Sequence, residues 1–148
     1  MQETLICVDP GQSGAIAILY PDGKVLVEDM PGTMADIWVL FDNLAFNYPL
    51  PMSAVIEQVG QYVPGNSGPG AVKFARHCGH LEMALYAAHI PTTMVLPNAW
   101  MRGIGCPKFK DKKDRKNWIK DFVQRRFPSV KVTLKNADAL GMLVYSTK

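Results

Sequence analysis

The segment TLICVDPGQSGAIAILY, residues 4–20, contains two apolar runs separated by a cluster of turn residues. The run from 5 to 8 predicts a buried strand, and the run from 15 to 20 predicts a second strand. The residues between them, 10–14, are rich in proline and glycine. Two apolar runs joined by so short a connection predict a β-hairpin.

Asp9 follows directly after the first apolar run, where a charge is costly unless it has a partner. Gly11 and Gly14 leave the adjacent backbone bare, so an anion or a metal complex can approach it closely. The alternative is that Asp9 only caps the turn, as aspartate often does. The segment by itself leaves both interpretations open.

Length and composition are those of an ordinary globular protein. The chain has 148 residues, of which 48% are hydrophobic and 20% charged, and we expect a single domain over 1–148. No apolar run reaches the ~20 residues of a membrane span, and the first residues do not resemble a signal peptide. The three cysteines are odd in number and widely spaced, which predicts reduced thiols and a cytoplasmic location.

Positive charge is concentrated in one segment. Residues 102–126 hold ten Lys and Arg against three Asp, a net charge of +7, whereas six basic and ten acidic residues elsewhere give −4. A basic quarter on an otherwise acidic chain is typical of a protein that binds a polyanion such as nucleic acid. A solvated helix face is the alternative.

The remaining pattern predicts a β-β-β-α-β-α-β-α-α order, with a further short turn or helix from Pro97. This order gives an α/β fold whose mixed sheet combines an antiparallel meander with parallel strands and carries helices on its faces. The predicted strands after the hairpin are 25–30, 53–56 and 92–96, and the predicted helices are 34–46, 71–89, 111–127 and 136–146.

Three acids stand at predicted element boundaries. Asp9 and Glu57 each end a strand, and Asp138 begins the last helix among small residues that allow close packing on the sheet. Clustered carboxylates repel one another and are tolerated mainly when they bind a hard cation. Two such ions ~3.5–4 Å apart support phosphodiester hydrolysis. Each acid alone is equally explained as a cap or a surface charge.

Three motifs in this order, VDPGQSGAIAIL, AVIEQVG before a Gly-rich loop, and NADALGM, carry a family resemblance. The chain resembles the RuvC-like Holliday junction resolvases of the RNase H-like superfamily, and most of all their phage and prophage branch. The likeness runs from about Leu5 to Tyr145. It implies a five-stranded RNase H-like fold and an endonuclease that acts in DNA recombination and repair, in a bacterial host cytoplasm.

The resemblance implies that Asp9, Glu57 and Asp138 are metal ligands. It implies Mg²⁺ or Mn²⁺ as cofactor, two ions per site and no small-molecule cofactor, and a homodimer that nicks two strands of a four-way junction. The family's fourth ligand, an acid or histidine, corresponds here to Lys135, which cannot coordinate a metal while protonated. We hypothesise that Lys135 contacts the scissile phosphate, or that the last helix begins in a different register.

Several basic residues are candidate DNA contacts. Lys112, Lys113 and Arg115 match the family's basic cluster, and the first two are expected nearest the cleaved strand, Lys112 in a catalytic role. Tyr62 either stacks on an unpaired base or packs under its loop. Other candidate contacts are Lys73, Arg76, Lys110, Lys135 and, more weakly, Arg102.

A metal site built from His77, Cys78, His80 and Cys106 is not expected. The spacing matches no zinc pattern, and Cys78 falls on an apolar helix stripe, which predicts a core position. Trp100 and Trp118 are expected to be packing residues.

Three other functions compete with junction resolution. One is a different RNase H-like nuclease that acts on branched DNA or an RNA–DNA hybrid. Another is an actin-like ATPase, whose phosphate loops also begin with D-x-G. The last is a non-catalytic junction-binding protein.

Overall fold

The computed structural model describes residues 3–48, 51–59 and 68–148. The element order matches the predicted one, with the short turn or helix after the fifth strand present as a helix. The strands are β1 (Thr4–Asp9), β2 (Ala15–Leu19), β3 (Val25–Asp29), β4 (Met52–Glu57) and β5 (Thr92–Val95). The helices are α1 (Met34–Asn47), α2 (Pro69–Ala87), α3 (Pro97–Gly103), α4 (Lys112–Arg126) and α5 (Ala137–Ser146).

The five strands form one mixed sheet in the order β3-β2-β1-β4-β5. β1, β2 and β3 pair antiparallel as a meander, and β4 and β5 extend the sheet from β1 in parallel. The predicted α/β class with a mixed five-stranded sheet is therefore confirmed.

The turn between β1 and β2 is tight. The Gly14 N–H donates to the Gly11 carbonyl at 3.0 Å, and Gly11 has a φ of 113°, which favours glycine. A Cβ on Gly14 would overlap the backbone carbonyl of Asp9. Glycine at position 14 is therefore required by the close return of the chain onto the end of β1.

Side chains alternate along each strand and form two cores, one on each face of the sheet. Ile6, Val8 and Ile56 face α1 and α2 and pack with Phe41 and Leu81. The opposite face is covered by α3, α4 and α5 and includes Cys7 and Val55 of the neighbouring strands, Ile119 of α4 and Leu140 of α5.

The helices begin close to where the sequence signals place them. Thr33 caps α1, because its Oγ1 accepts a hydrogen bond from the Asp36 N–H at 3.1 Å. α2 begins at Pro69, two residues before the predicted start, because proline suits the first turn of a helix. No helix in the described part of the chain is long and apolar enough to cross a bilayer.

Candidate active site

The pairing of β1 with β4 brings the first two acids together. The two strands are parallel, and their last paired residues are Val8 and Ile56, so Asp9 and Glu57 end adjacent strands at the same level. By the alternation of side chains, both acids share a face with Cys7 and Val55, which pack under α3–α5. Both carboxyl groups therefore leave one edge of the sheet on the face that α5 covers.

Asp138 reaches this edge from α5, in which it is the second residue. Its neighbours Ala137, Ala139 and Gly141 are all buried. A Cβ on Gly141 would lie 2.7 Å from Cζ3 of Trp100, which is closer than packing permits. Small residues thus let the first turns of α5 lie directly against the sheet and α3.

The three carboxylates line one cavity of about 1380 Å³. One wall includes the basic face of α4, formed by Lys112, Arg115 and Lys116, and the opposite wall comes from α1 and the N-terminal half of α2. The cavity is large compared with the three acids, and its lining combines these acids with the cations of α4.

Burial makes Asp9 a weak acid. Its pKa rises to about 8, first because the carboxyl group is removed from water and then because Glu57 and Asp138 are nearby carboxylates. Lys116 acts in the opposite direction. A carboxyl group with this pKa is held mostly protonated at neutral pH unless a further positive charge is supplied.

The pKa values of the other two acids are likewise raised by burial and lowered by nearby groups. Burial raises the pKa of Glu57, and the hydrogen bond from Trp100 opposes that rise. Burial also raises the pKa of Asp138, against the opposing effects of Lys116, Arg115 and Lys112. The α4 cations therefore offset only part of the cost of gathering three carboxylates.

The donor chemistry of this cluster fits a hard divalent cation. Carboxylate oxygens are the ligands that Mg²⁺ and Mn²⁺ accept, and a bound cation offsets the burial and repulsion that raise all three pKa values. Among residues 3–48, 51–59 and 68–148, however, no three His, Cys, Asp or Glu side chains form a ready-made group for one ion. The acids share a cavity without being closed around a single point.

The structure separates the cysteine and histidine candidates. His77 and His80 line the α2 wall of the cavity, whereas Cys106 packs against the core on the α3–α5 face. Cys78 is half-buried and belongs to neither core cluster. The expected core position of Cys78 is therefore only partly realised, because the N-terminal half of α2 borders the cavity instead of the core.

The predicted DNA contacts divide into two groups. Lys112 and Arg115 line the cavity from α4, and Lys73 and Arg76 line it from α2. Arg102, Lys110, Lys113 and Lys135 are exposed and are not among the described cavity residues.

Lys135 precedes α5, so it is not one helical turn before Asp138 within that helix. Tyr62 lies outside the described residues.

Two residues of the site were not assigned to it from the sequence. Lys116 lines the cavity and acts on all three acids. Helical spacing could have found it, since positions 112, 115 and 116 share one helix face and 113 does not. Trp100 is buried as expected, but it also donates a hydrogen bond to Glu57, and no sequence signal marked that role.

No protein-family model matches the chain, and no curated protein matches it. Solved structures do. Thermus thermophilus RuvC in complex with a Holliday junction substrate superposes with a TM-score of 0.65 at 11% identity, over 98% of this chain and 92% of that one. The chain has a RuvC-like fold. A further T. thermophilus RuvC structure matches with a TM-score of 0.63 at 14% identity, over 97% and 93% of the two chains.

A sugar-bound ROK family protein from Streptococcus pneumoniae matches with a TM-score of only 0.39 at 22% identity, over 70% of this chain and 36% of that one. The RuvC-like fold, by contrast, extends over nearly the whole chain and includes all three acid-bearing elements.

Without divalent cations, we expect stability to fall as the pH rises from about 4 to about 8. The pKa of Asp9 is about 8 in the folded chain against an ordinary 3.8, so in this window unfolding releases a proton. Higher pH therefore favours unfolding. Asp9→Asn should reduce the slope of Tm against pH, measured by calorimetry in EDTA. Asp42→Asn, an exposed acid on α1, should keep the slope; an unchanged slope in Asp9→Asn would contradict the raised pKa.

Proposed function

We propose that this protein is a structure-selective endodeoxyribonuclease that resolves four-way DNA junctions by metal-dependent phosphodiester hydrolysis. The observation that carries the proposal is the gathering of Asp9, Glu57 and Asp138 in one cavity beside three cations of α4. The RuvC-like fold supports it, since a solved structure of that fold is RuvC with a Holliday junction substrate.

In this proposal Asp9, Glu57 and Asp138 hold Mg²⁺ or Mn²⁺, two ions per site. When bound, such ions lower the pKa of a water and stabilise charge on the leaving oxygen. The carboxylates fix the reaction at the ends of β1 and β4. Lys112, Arg115 and Lys116 bind the scissile phosphate and its neighbours, because they are the cations that α4 contributes to the cavity wall.

The α2 wall has a complementary role. Lys73 and Arg76 line the same cavity, so a DNA strand in it meets cations on both sides. Contacts of this kind fix the position of the strand without reading its bases. Lys110, Lys113 and Lys135, which are exposed and do not line the cavity, remain proposed contacts with the arms of the junction. Tyr62 remains a proposed stacking partner for an unpaired base.

A non-catalytic junction-binding protein is the second candidate. Two observations favour it: the three acids do not form a ready-made group for one ion, and the position of the family's fourth ligand is an exposed lysine. Incubating the wild-type protein with a four-way junction and Mn²⁺ separates the two candidates, because binding without any nicking favours the second.

Replacing each acid by its amide should strongly reduce cleavage and keep binding. We expect Asp9→Asn, Glu57→Gln and Asp138→Asn to lower single-turnover cleavage of a four-way junction by about 10³-fold, since each removes a charged ligand. Junction affinity should be unchanged or slightly higher, because fewer negative charges face the phosphates. Gel-shift and cleavage assays measure both quantities, and Asp42→Asn is the matched control.

The substrates for this experiment are a mobile junction, an immobile junction, linear duplex and an RNA–DNA hybrid. Preference for junctions supports resolution. Equal cleavage of duplex or hybrid would instead indicate another RNase H-like nuclease that shares the site.

Adjacent lysines of α4 should differ in effect. Lys112 lines the cavity, whereas Lys113 is exposed on another face of the same helix. We expect Lys112→Ala to lower single-turnover cleavage by about tenfold, equivalent to ~1.4 kcal/mol, because one phosphate contact is lost. Lys113→Ala, which removes the same charge one residue away, should change it by less than about threefold. Equal effects would show that overall charge, and not position, matters.

A homodimer is part of the proposal, and the exposed face of α2 that adjoins the cavity at Val72 and Arg76 suits it. Val72, Met83 and Tyr86 are 60%, 61% and 78% exposed on that face, and nothing lies near the bare Cα of Gly79. The exposed positions are symmetric about Gly79, with Arg76 three residues before it and Glu82 three after it. An antiparallel copy crossing at Gly79 therefore places Arg76 of each copy opposite Glu82 of the other, and apolar residues opposite apolar residues. Two-fold symmetry makes each of these contacts occur twice.

Charge reversal tests this interface. Arg76→Glu and Glu82→Arg should each weaken the dimer, because like charges then face each other across the two-fold axis. The double variant Arg76→Glu/Glu82→Arg restores opposite charges and should restore dimerisation. Sedimentation equilibrium without DNA measures the dissociation constant, for which we expect a change of about tenfold in each single variant. A double variant no better than the singles would exclude this arrangement.

A further inference from the structure

Trp100 occupies a fully buried position between two acid-bearing elements. β5 runs beside β4, with Val95 opposite Glu57, and α3 begins two residues later at Pro97. This short connection folds the first turn of α3 back under the end of β4. Trp100, the fourth residue of α3, is 0% exposed there.

The indole makes a direct polar contact with the site. Its Nε1–H donates to Oε2 of Glu57 at 2.7 Å, a short bond for an N–H donor to a charged acceptor. The bond opposes the effect of burial on the pKa of Glu57, so it favours the charged carboxylate. With one lone pair of Oε2 engaged, the rotation of the carboxylate is fixed, and Oε1 is left for other partners.

The six-membered ring of the same indole sets the position of α5. A Cβ on Gly141 would lie 2.7 Å from Cζ3 and 3.3 Å from Cη2 of Trp100, so the helix backbone rests directly on the ring. Gly141 is three residues after Asp138 and therefore one turn further along α5. One rigid side chain thus contacts Glu57 at its nitrogen and the helix of Asp138 at its far edge.

We infer that Trp100 is a positioning residue that fixes the Glu57 carboxylate relative to Asp138 and thereby sets the divalent-cation affinity of the site. The inference rests on the proposed metal-dependent function, but it concerns the spacing of two ligands rather than the substrate. Because the three acids are not closed around one point, the element that holds two of them in register controls how readily a cation joins them. Hydrogen-bond partners of metal ligands typically change metal affinity by ~10–100-fold.

The competing explanation is that Trp100 only fills the core. Trp100→Phe deletes the N–H and also the ring edge that touches Gly141, so by itself it mixes the two effects. Trp100→Phe/Gly141→Ala separates them, because the added Cβ occupies space that the missing ring edge leaves. Trp118→Phe is the control for loss of an indole elsewhere. Trp118 stacks on Phe122, with 5.2 Å between the ring centroids, in the core packing of α4.

The measurements are Mn²⁺ affinity by calorimetry and stability by urea unfolding in EDTA, both without DNA. We expect Trp100→Phe to weaken Mn²⁺ binding by about tenfold and to lower stability. The double variant should recover stability while its Mn²⁺ affinity stays low. Trp118→Phe should bind Mn²⁺ as the wild type does. If affinity recovers together with stability in the double variant, Trp100 acts by packing alone and the inference is overturned.

A measurement on the wild-type indole does not depend on how the Trp100 variants fold. In a ¹H–¹⁵N spectrum of the metal-free protein, Glu57→Gln should shift the Trp100 indole resonance, because a neutral amide oxygen replaces a charged acceptor. The Trp118 resonance should not move. An unshifted Trp100 resonance would overturn the inference. If Glu57→Gln shifts the resonance but the wild-type protein binds no Mn²⁺, the proposed function is overturned and, with it, the role in cation affinity, while the Trp100–Glu57 contact stands.

Discussion

The parallel pairing of β1 with β4 is the constraint on which the site depends. Val8 lies opposite Ile56, and this register places the following residues, both acids, side by side on one face. A shift of β4 by one residue would turn Glu57 to the α1–α2 face. The apolar residues Ala54 and Ile56 prevent that shift, because they must remain in the core under α1 and α2.

Gathering the acids works against stability, and the surrounding structure offsets that cost only in part. Burial raises the pKa of all three carboxyl groups. The cations of α4 and the Trp100 indole lower those pKa values again, but not to their ordinary range. A site that remains short of positive charge after its own side chains are counted is one that gains from an added cation.

Much of the architecture could be predicted from the sequence, because it depends on local patterns. The hairpin follows from two apolar runs around a glycine turn, and the start of α1 follows from the Thr33 cap. The pairing of Asp9 with Glu57 also follows from strand ends. The position of Asp138 depends on how α5 packs. Its small neighbours in the sequence indicate close packing but do not specify where the helix lies.

Other features of the site depend on tertiary contacts that no local pattern records. The hydrogen bond from Trp100 to Glu57 joins residues 43 positions apart, so the sequence shows only a large apolar side chain. Helical spacing places Lys116 on the same face of α4 as Lys112, whereas the family resemblance points to Lys113. Tyr62 falls outside the described residues, and its role stays a prediction. Lys135 is exposed and lies before the start of α5.

The turn at Gly14 has a practical consequence for mutational scanning of this chain. Any side chain there would overlap the Asp9 carbonyl, so substitutions will score as inactive whatever the chemistry of the new residue. Such a result would reflect a backbone that can no longer close behind β1, not the loss of a reacting group. Soluble yield, recorded beside activity at each position, distinguishes a glycine that the turn needs in order to fold from a residue that takes part in the proposed reaction.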